Sequence, residues 1–312
     1  MNELIKAQGG VIRPQMELTE ALYNRFIAYL DASPKTIETY TRTLRQFFSW
    51  LQWNRIARPE REDILTYRAY LKESGKKPTT VQNYITVVRI FFGWTEQEGL
   101  YPNIAAHVKG AKLDKEHKKD YLTSGQVKAV LSQIDRTTAA GKRDYAIMVL
   151  MVTGGLRTIE VARANIGDLR TAGDSPVLYL QGKGHEEKTD YVKLAPQVEA
   201  AIREYLKTRT DTEAEAPLFT SQSNNSKGQR MTTRAISGVA KERITAAGYV
   251  SDRLTAHSLR HTAVTLSLLS GRSLEEVQQF ARHTNIATTM IYNHALDKAQ
   301  NGCAAAVASS IF

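Results

Sequence analysis

The stretch HSLRH at residues 257–261 places two imidazoles and a guanidinium close together. His257 and Arg260 are three residues apart, so on a helix they lie on one face. Arginine offers paired donors to phosphate oxygens, and histidine donates a hydrogen bond or a proton, so this pair suits an anion. His257 and His261, at i and i+4, could instead bind zinc, but no glutamate lies between them and no third ligand is evident.

Two further cations stand where a ligand could reach them. Arg157 follows a Gly-Gly break at the start of a predicted helix, with Glu160 one turn on. Free N–H groups at a helix start favour an anion there, although a surface arginine paired with Glu160 would give the same pattern. Lys183 lies between glycines in the turn of a predicted hairpin, where a solvated lysine is the simpler interpretation.

The segment ARHTNIATTMIYNH, residues 281–294, holds the candidate nucleophile. Tyr292 is one of 14 tyrosines, so its residue type alone favours an ordinary half-buried side chain. His283 precedes it by nine residues. The case for a reactive hydroxyl therefore depends on the cations and histidines described above.

Together these residue types fit phosphoryl transfer from DNA without a metal ion. That reaction needs a nucleophile, neutralisation of the nonbridging oxygens and a proton for the leaving alcohol. Arginines supply the charge stabilisation when no metal does, and a tyrosine ester preserves the bond energy for religation. The candidate residues include no acidic metal-binding cluster, and the sequence contains no GxxxxGK[ST] loop, so we expect neither a metal nor a nucleotide cofactor.

Composition is consistent with a DNA partner. The chain has 312 residues and a formal net charge of +10, and a basic surface attracts polyanions. A lone cysteine, Cys303, excludes an intramolecular disulfide and a cysteine-cluster metal site. Because no apolar run is long enough to span a bilayer and no signal peptide is evident, we expect a cytoplasmic protein on the bacterial nucleoid, without a membrane partner.

The first hundred residues predict a four-helix unit. Residues 33–50 and 77–94 align without gaps, with Pro, Thr, Tyr, Arg, Phe and Trp at equivalent positions. Residues 17–31 and 59–74 are amphipathic as well. The spacing of the aromatic residues places them on one face of each helix, which predicts core packing over base stacking.

Cations near the helix starts or on the polar faces of this unit are candidate phosphate contacts, although a solvated face would look the same. They are Lys35, Arg42, Lys76, Lys77 and Arg89.

The rest of the chain predicts a lysine-rich linker at 106–120 and a mainly helical second domain. Residues 142–169 predict a buried helix, a Gly-Gly break and a second helix. Residues 175–196 predict a hairpin because two alternating apolar runs flank a glycine-rich turn. The fold class is thus mainly α with a small antiparallel sheet, followed by helices in these ranges: 197–209, 232–247, 257–270, 273–281 and 286–295.

The order of these motifs resembles the tyrosine recombinase (phage integrase) family, with a layout closest to Xer-type recombinases and mobile-element integrases. The resemblance covers nearly the whole chain. It implies a two-domain DNA clamp, with a tail at 1–16, a SAM-like core-binding domain at 17–105, the linker, a catalytic domain at 121–300 and a tail at 301–312. Six polar positions carry it: Arg157, Lys183, His257, Arg260, His283 and Tyr292.

The resemblance assigns a task to each of the cations. Arg157 and Arg260 would clamp the scissile phosphate, and Lys183 would protonate the departing 5′-hydroxyl. Glu160 would support the site indirectly, through these residues and without contacting the phosphate itself.

It also assigns the remaining groups. Tyr292 would attack to give a 3′-phosphotyrosine, His257 would assist proton transfer at that tyrosine, and His283 would hydrogen-bond a phosphate oxygen. His261 matches a position usually considered structural.

Arg282 departs from the family pattern, which usually has glycine before this histidine. The arginine either adds a phosphate contact or alters the loop, and we include it among the candidate DNA-binding residues. Gly154, in place of Thr or Ser, and Ile159, in place of Ser, are expected to change packing only.

The resemblance further implies partners. These are double-stranded DNA with inverted-repeat core sites and three further protomers, in a homo-tetramer or a hetero-tetramer with a related recombinase. The small, apolar tail 301–312 predicts a helix that docks on the next protomer, or else a frayed terminus. The activity would serve integration, excision or resolution of DNA.

Three other functions remain open from the sequence. A type IB topoisomerase shares the chemistry, but the domain before the linker and the tail argue against it. A DNA-binding protein without catalysis would not need all six competent residues. A zinc hydrolase would rest on His257 and His261 alone.

Overall fold

The computed structural model describes residues 20–112, 120–182, 187–300 and 303–311. The predicted tail 1–16, residues 113–119 of the predicted linker and the candidate acid Lys183 lie outside the described residues. The chain divides into two compact units, Met1–Lys115 and Glu116–Phe312.

The described part of the first unit contains four helices, in the four stretches that the sequence predicts to be helical. They are α1 (Glu20–Tyr29), α2 (Pro34–Trp53), α3 (Arg61–Glu73) and α4 (Pro78–Gln97). The two copies of the repeat start with nearly identical backbones, since the residues before the prolines have φ/ψ of −59°/148° and −59°/146°. Proline fits the first helical position because its missing N–H would be unbonded there in any case.

Interlocking aromatic rings fill the core of this unit. Phe47 and Phe91, at equivalent positions of the repeat, are both 0% exposed. Phe91 meets Phe26 edge to face at a centroid distance of 5.2 Å, and Phe47 meets Tyr67 at 5.0 Å. The prediction that the aromatic stripes form core is therefore confirmed.

The chain after α4 stays attached to this unit. Val108 is buried in the same core as the aromatic rings. Arg61 donates to the carbonyl of Ala106 at 2.5 Å and Arg68 to that of Lys109 at 2.6 Å. The first residues of the segment we predicted as a linker thus pack against α3.

The second unit is mainly helical, with one small sheet. Its elements are α5 (Ser124–Ser132), α6 (Ala139–Gly154), α7 (Thr158–Arg163), a 3-10 turn (Ile166–Asp168), β1 (Leu169–Ala172), β2 (Ser175–Leu180), β3 (Asp190–Lys193), α8 (Pro196–Leu206), α9 (Thr233–Ala246), α10 (Ala256–Leu269), α11 (Leu274–Ala281), α12 (Ile286–Gln300) and α13 (Cys303–Ile311). The predicted fold class, mainly α with a small antiparallel sheet, is confirmed.

The sheet has one strand more than the predicted hairpin. Its order is β1-β2-β3, antiparallel throughout, with Leu178 of β2 opposite Leu169 of β1 and Val192 of β3. The prediction of a helix up to residue 169 was wrong. The N–H groups of Ile166 and Gly167 donate to carbonyls of a distant loop instead of continuing α7, which frees the following residues to extend.

α6 is the central helix of the second unit, buried on nearly all sides. It packs against α8 and α10 and ends at the Gly-Gly break that precedes the candidate arginine. Within the described ranges, no helix is both long enough and apolar enough to cross a bilayer.

Candidate active site

The site forms around the end of α6, where glycine is required. Gly155 has φ +59°, in the left-handed region that glycine adopts without strain. A Cβ at Gly155 would also lie 3.2 Å from the ring of Phe280. This tight turn exposes the Gly155 carbonyl to the site and makes Arg157 the N-cap of α7.

Arg157 is held by Glu160 through both its backbone and its side chain. The Arg157 N–H donates to Glu160 Oε2 at 2.8 Å, and Arg157 Nη1 donates to Glu160 Oε1 at 2.8 Å. Burial works to raise the pKa of Glu160, but Arg282 and Arg157 together outweigh it, so the pKa is lowered. The pair is not the surface contact considered above, because Glu160 is 1% exposed.

Arg260 ties three elements together from the middle of the site. On α10, it is 1% exposed, and it donates Nη1 to the Gly155 carbonyl at 2.6 Å and Nη2 to the Ala281 carbonyl. Burial, followed by the nearby Arg157 and Arg282, lowers the pKa of Arg260 to about 10. The guanidinium therefore stays charged at neutral pH and is aimed by the ends of α6 and α11.

Two histidines of α10 lead towards the tyrosine. His257, in the first turn, is exposed, whereas His261 is 4% exposed. Their rings meet edge to face with centroids 4.8 Å apart. The His261 ring in turn lies 4.9 Å from that of Tyr292, which supports a packing role for His261.

His283 follows α11 and stacks near the tyrosine. Its Nδ1 lies 2.9 Å from Thr289 Oγ1, and its ring centroid is 6.2 Å from that of Tyr292 at an interplanar angle of 22°. Burial first, then Arg260 and the other cations, lowers the pKa of His283 to about 4. The imidazole is therefore neutral at physiological pH, and Nε2 is available to one ligand according to the tautomer.

Tyr292 lies on α12 with its ring in a small apolar cluster. It is 7% exposed and packs with Val264, Val277 and Ala281. Burial raises the pKa of Tyr292, while Arg260 and Arg157 act in the opposite direction. The hydroxyl is therefore protonated at neutral pH and must lose its proton in order to attack.

The structure thus brings Arg157, Glu160, Arg260, His283 and Tyr292 into one cluster, with His257 next to it on α10. Sequence reasoning missed Thr289, the partner of His283, because nothing in its spacing marks it. It also left open which groups Arg282 contacts.

The described residues on either side of Lys183 contact neighbouring parts of the second unit. Arg163 donates Nη1 to the carbonyl of Gly182 at 3.2 Å. On the other side, Lys188 Nζ forms an ion pair of 2.5 Å with the buried carboxylate of Asp168. Gly182 and Lys188 are thus bonded to α7 and to the 3-10 turn, respectively.

The candidate DNA-binding residues outside the catalytic set, other than Arg282, all lie in the first unit. Lys35 is 81% exposed at its side chain and pairs with Glu38 at 2.6 Å. Arg42, Lys76 and Lys77 are exposed too. The remaining candidate, Arg89, is half-buried and donates to Thr86 Oγ1 at 3.3 Å.

Arg282 lies in the second unit with its guanidinium directed inward, as described below. Across the described side chains, no group of three or more His, Cys, Asp or Glu is placed to hold a metal ion.

Comparison with known sequences follows the same division of the chain. Residues 120–299 match the phage integrase family, and residues 23–99 match the phage integrase N-terminal SAM-like domain. A tyrosine recombinase of Synechococcus elongatus is 28% identical over 286 residues, covering 87% of this chain and 88% of that protein. The tyrosine recombinase XerC of Pelobacter propionicus is 28% identical over 288 residues, covering 91% and 92%.

Solved structures show the same fold. XerH recombinase bound to palindromic difH substrate, in a post-cleavage complex, aligns with a TM-score of 0.68 at 20% identity, over 86% of this chain and 80% of that one. A lambda integrase dimer bound to a core site aligns with a TM-score of 0.69 at 16% identity, over 88% and 97%. Since the first family match spans more than half of the sequence, this chain belongs to the phage integrase family of tyrosine recombinases, enzymes of site-specific DNA recombination.

Proposed function

We propose that this recombinase cuts and rejoins DNA through a covalent 3′-phosphotyrosine at Tyr292, without a metal or nucleotide cofactor. The Tyr292 hydroxyl oxygen attacks the scissile phosphorus, and the bond from phosphorus to the 5′ oxygen breaks. Religation reverses the step with a 5′-hydroxyl from either strand partner. The observation that carries the proposal is the convergence of two arginines, a neutral histidine and the tyrosine at the end of α6.

Each proton has an assigned route in this proposal. Because Tyr292 is protonated at neutral pH, its proton must leave as the oxygen attacks, and His257 assists by accepting it or passing it to solvent. Lys183 gives a proton to the departing 5′ oxygen. His283, neutral and fixed at Nδ1 by Thr289, donates from Nε2 to a nonbridging oxygen.

The arginines neutralise charge that develops on the phosphate. Arg260 is held by the Gly155 carbonyl and Arg157 by Glu160 and the Arg282 carbonyl, and donors fixed in this way need no rearrangement as the charge grows. Tyr292 and Arg260 are 7% and 1% exposed. Part of the protein that covers them must therefore move before DNA can reach them.

A nicked suicide substrate tests this chemistry. Wild-type protein is expected to leave an SDS-resistant adduct, whereas Tyr292→Phe binds the same DNA and leaves none. Tyr249→Phe, in the second unit but outside the cluster, is the matched control and is expected to form the adduct normally. An adduct in Tyr292→Phe would show that another residue attacks.

We further propose that the first unit grips double-stranded DNA at inverted-repeat core sites while the second unit carries out the chemistry. The exposed cations Lys35, Arg42, Lys76 and Lys77 would contact phosphates, with Arg89 beside them. Each unit can be exchanged for its counterpart in another protein of the family. We expect the choice of DNA site to follow the first unit and cleavage to follow the second.

For the assembled state we propose a tetramer on DNA, joined through α13. Val307 and Ile311 of this helix are 56% and 68% exposed, a surface that docking on a neighbouring protomer would bury. Deleting residues 301–312 should leave DNA binding and single-site cleavage largely intact but impair recombination between two sites. Val307→Asp with Ile311→Asp should reproduce this loss if the apolar face is responsible.

Recombination by the truncated protein at the wild-type rate would contradict the docking proposal. Recombination by the purified chain alone would establish that a homo-tetramer suffices, while a requirement for a related recombinase would favour a hetero-tetramer.

A further inference from the structure

Arg282 occupies a backbone position that ordinarily selects glycine. It is the C-cap of α11, with φ +54° and ψ +46°. Residues with a Cβ adopt this left-handed conformation at an energetic cost, so an arginine here calls for a compensating contribution from its side chain.

The guanidinium of Arg282 is directed into the site. Nη1 donates to the Phe280 carbonyl at 2.9 Å. Nη2 donates to the Gly155 carbonyl at 3.1 Å and to Glu160 Oε2 at 3.1 Å. The side chain is 11% exposed, and these contacts fix it to the end of α6 and to the buried carboxylate.

Glu160 is therefore shared by two arginines with different exposure. Arg157 binds Oε1 and is 31% exposed at its side chain, whereas Arg282 binds Oε2 and is 11% exposed. The backbone carbonyl of Arg282 also accepts a hydrogen bond from Arg157 Nη2 at 3.2 Å. The more accessible guanidinium is the one assigned to the scissile phosphate.

DNA binding would change the charges that surround Glu160. If Arg157 turned from Glu160 to the phosphate without replacement, a carboxylate that is 1% exposed would lose its counter-charge. An unpaired buried charge is strongly unfavourable, so Arg157 would be held back from the phosphate. A second guanidinium on the other carboxylate oxygen removes that obstacle.

We infer that Arg282 is a positioning residue, the resident counter-ion of Glu160 that leaves Arg157 free to bind the scissile phosphate. The inference rests on the proposed role of Arg157 in DNA cleavage. It differs from the phosphate contact that the sequence suggested for Arg282, because here the guanidinium acts through Glu160 and not on DNA.

A double-mutant cycle with Glu160→Gln tests this coupling. Arg282→Gly removes the guanidinium and places the preferred residue at the left-handed position, which protects the fold, and Arg282→Lys keeps the positive charge. Single-turnover cleavage of the suicide substrate is measured for each variant, with DNA affinity and its salt dependence measured separately by fluorescence anisotropy.

The expected pattern has three parts. Arg282→Gly should cleave about tenfold more slowly, with DNA affinity nearly unchanged. A tenfold change corresponds to an interaction energy that is usual between residues in contact. Arg282→Lys recovers most of that rate. In the Glu160→Gln background, Arg282→Gly has little further effect, because a neutral amide needs no counter-ion.

Two results would overturn the inference. Equal slowing by Arg282→Gly in both backgrounds, with weaker binding and a salt slope reduced by about one, would mean that Arg282 contacts a phosphate directly. Cleavage by Arg282→Gly at the wild-type rate would mean that the guanidinium has no part. An adduct in Tyr292→Phe would instead contradict the proposed nucleophile and leave the Arg282–Glu160 coupling measurable.

Discussion

The two units of this protein bury different chemistry. The core of the first consists of packed rings such as Phe26, Phe47 and Phe91, and its cations lie mostly at the surface. The second unit buries charges as well, among them Glu160 and Arg260, each 1% exposed. Apolar packing stabilises a fold but supplies no charged groups for catalysis. Buried charges can supply them, but they are costly to desolvate and therefore need partners.

The second unit also holds a charge group away from the tyrosine. Asp144, 2% exposed, accepts from Arg143 through Oδ1 at 2.7 Å and from Arg243 through Oδ2 at 2.6 Å. Its carboxylate joins α6 to α9 by charge-assisted hydrogen bonds, whereas helices of the first unit contact one another through aromatic rings. We therefore expect truncation of a buried ring to destabilise the first unit alone, and removal of a buried charge to destabilise the second unit alone.

The largest effect is expected from Phe91→Ala in the first unit. Phe91 is 0% exposed and contacts Phe26, Phe48, Phe92 and Trp94, so the truncation leaves a cavity and should cost about 3–5 kcal/mol of unfolding free energy.

Tryptophan fluorescence in denaturant reports this loss, since all three tryptophans, Trp50, Trp53 and Trp94, belong to the first unit. Ile90→Ala, next along α4 but 37% exposed, is the control and should cost less than about 1 kcal/mol. Equal losses in both variants would mean that the rings are not the source of stability.

Asp144→Ala should destabilise the second unit by on the order of 3 kcal/mol, because it leaves the buried Arg143 without a counter-charge, with the Thr220 carbonyl as its remaining partner. The tryptophan transition should not move, while unfolding followed by circular dichroism should begin at a lower denaturant concentration. Glu242→Gln is matched through its shared partner Arg243, but Glu242 is 66% exposed, so we expect a change within about 0.5 kcal/mol.

The low pKa of His283 predicts a pH dependence in the second unit. In the unfolded chain His283 takes up a proton near its ordinary pKa of 6.5, whereas the folded state resists protonation down to about 4. Stability is therefore complete above pH 6.5 and declines as the pH falls from 6.5 towards 4.

His283→Gln should flatten this decline, as measured by thermal unfolding between pH 7.5 and 5. Glu160 does not interfere, because its lowered pKa confines its own contribution to the region below its ordinary value of 4.5. An unchanged pH dependence in the variant would show that His283 is not the group responsible.

The smallest effect belongs to the surface of the first unit. Lys35→Ala removes a proposed phosphate contact and should reduce the salt slope of DNA binding by about one, with no shift in thermal midpoint. Glu38→Ala, which releases Lys35 from its exposed pair, should strengthen binding slightly. Identical salt slopes for wild type and Lys35→Ala would remove Lys35 from the contact surface.

Much of the first unit could be predicted because its signals are local. The repeated prolines at residues 34 and 78 mark helix starts, and the spacing of the rings marks the buried faces. The end of α7 could not be predicted, since the chain there is diverted by bonds to the carbonyls of Ala214 and Ala216, far along the sequence.

The candidate site shows the same limit. Residue type, order and resemblance suffice to select Arg157, Arg260 and Tyr292 as candidates. The inward position of Arg282 depends on a left-handed backbone and on carbonyls contributed by the end of α6, 127 residues away in the case of Gly155. Only the folded chain brings these groups together.

In the proposed reaction the hydroxyl of Tyr292, close to arginines from separate helices, attacks DNA. The most direct measurement is tandem mass spectrometry of the trapped adduct after nuclease and protease digestion. We expect the nucleotide to be esterified to Tyr292, within the peptide HTNIATTMIYNHALDK. A nucleotide on any other residue, or no covalent adduct from active enzyme, would contradict it.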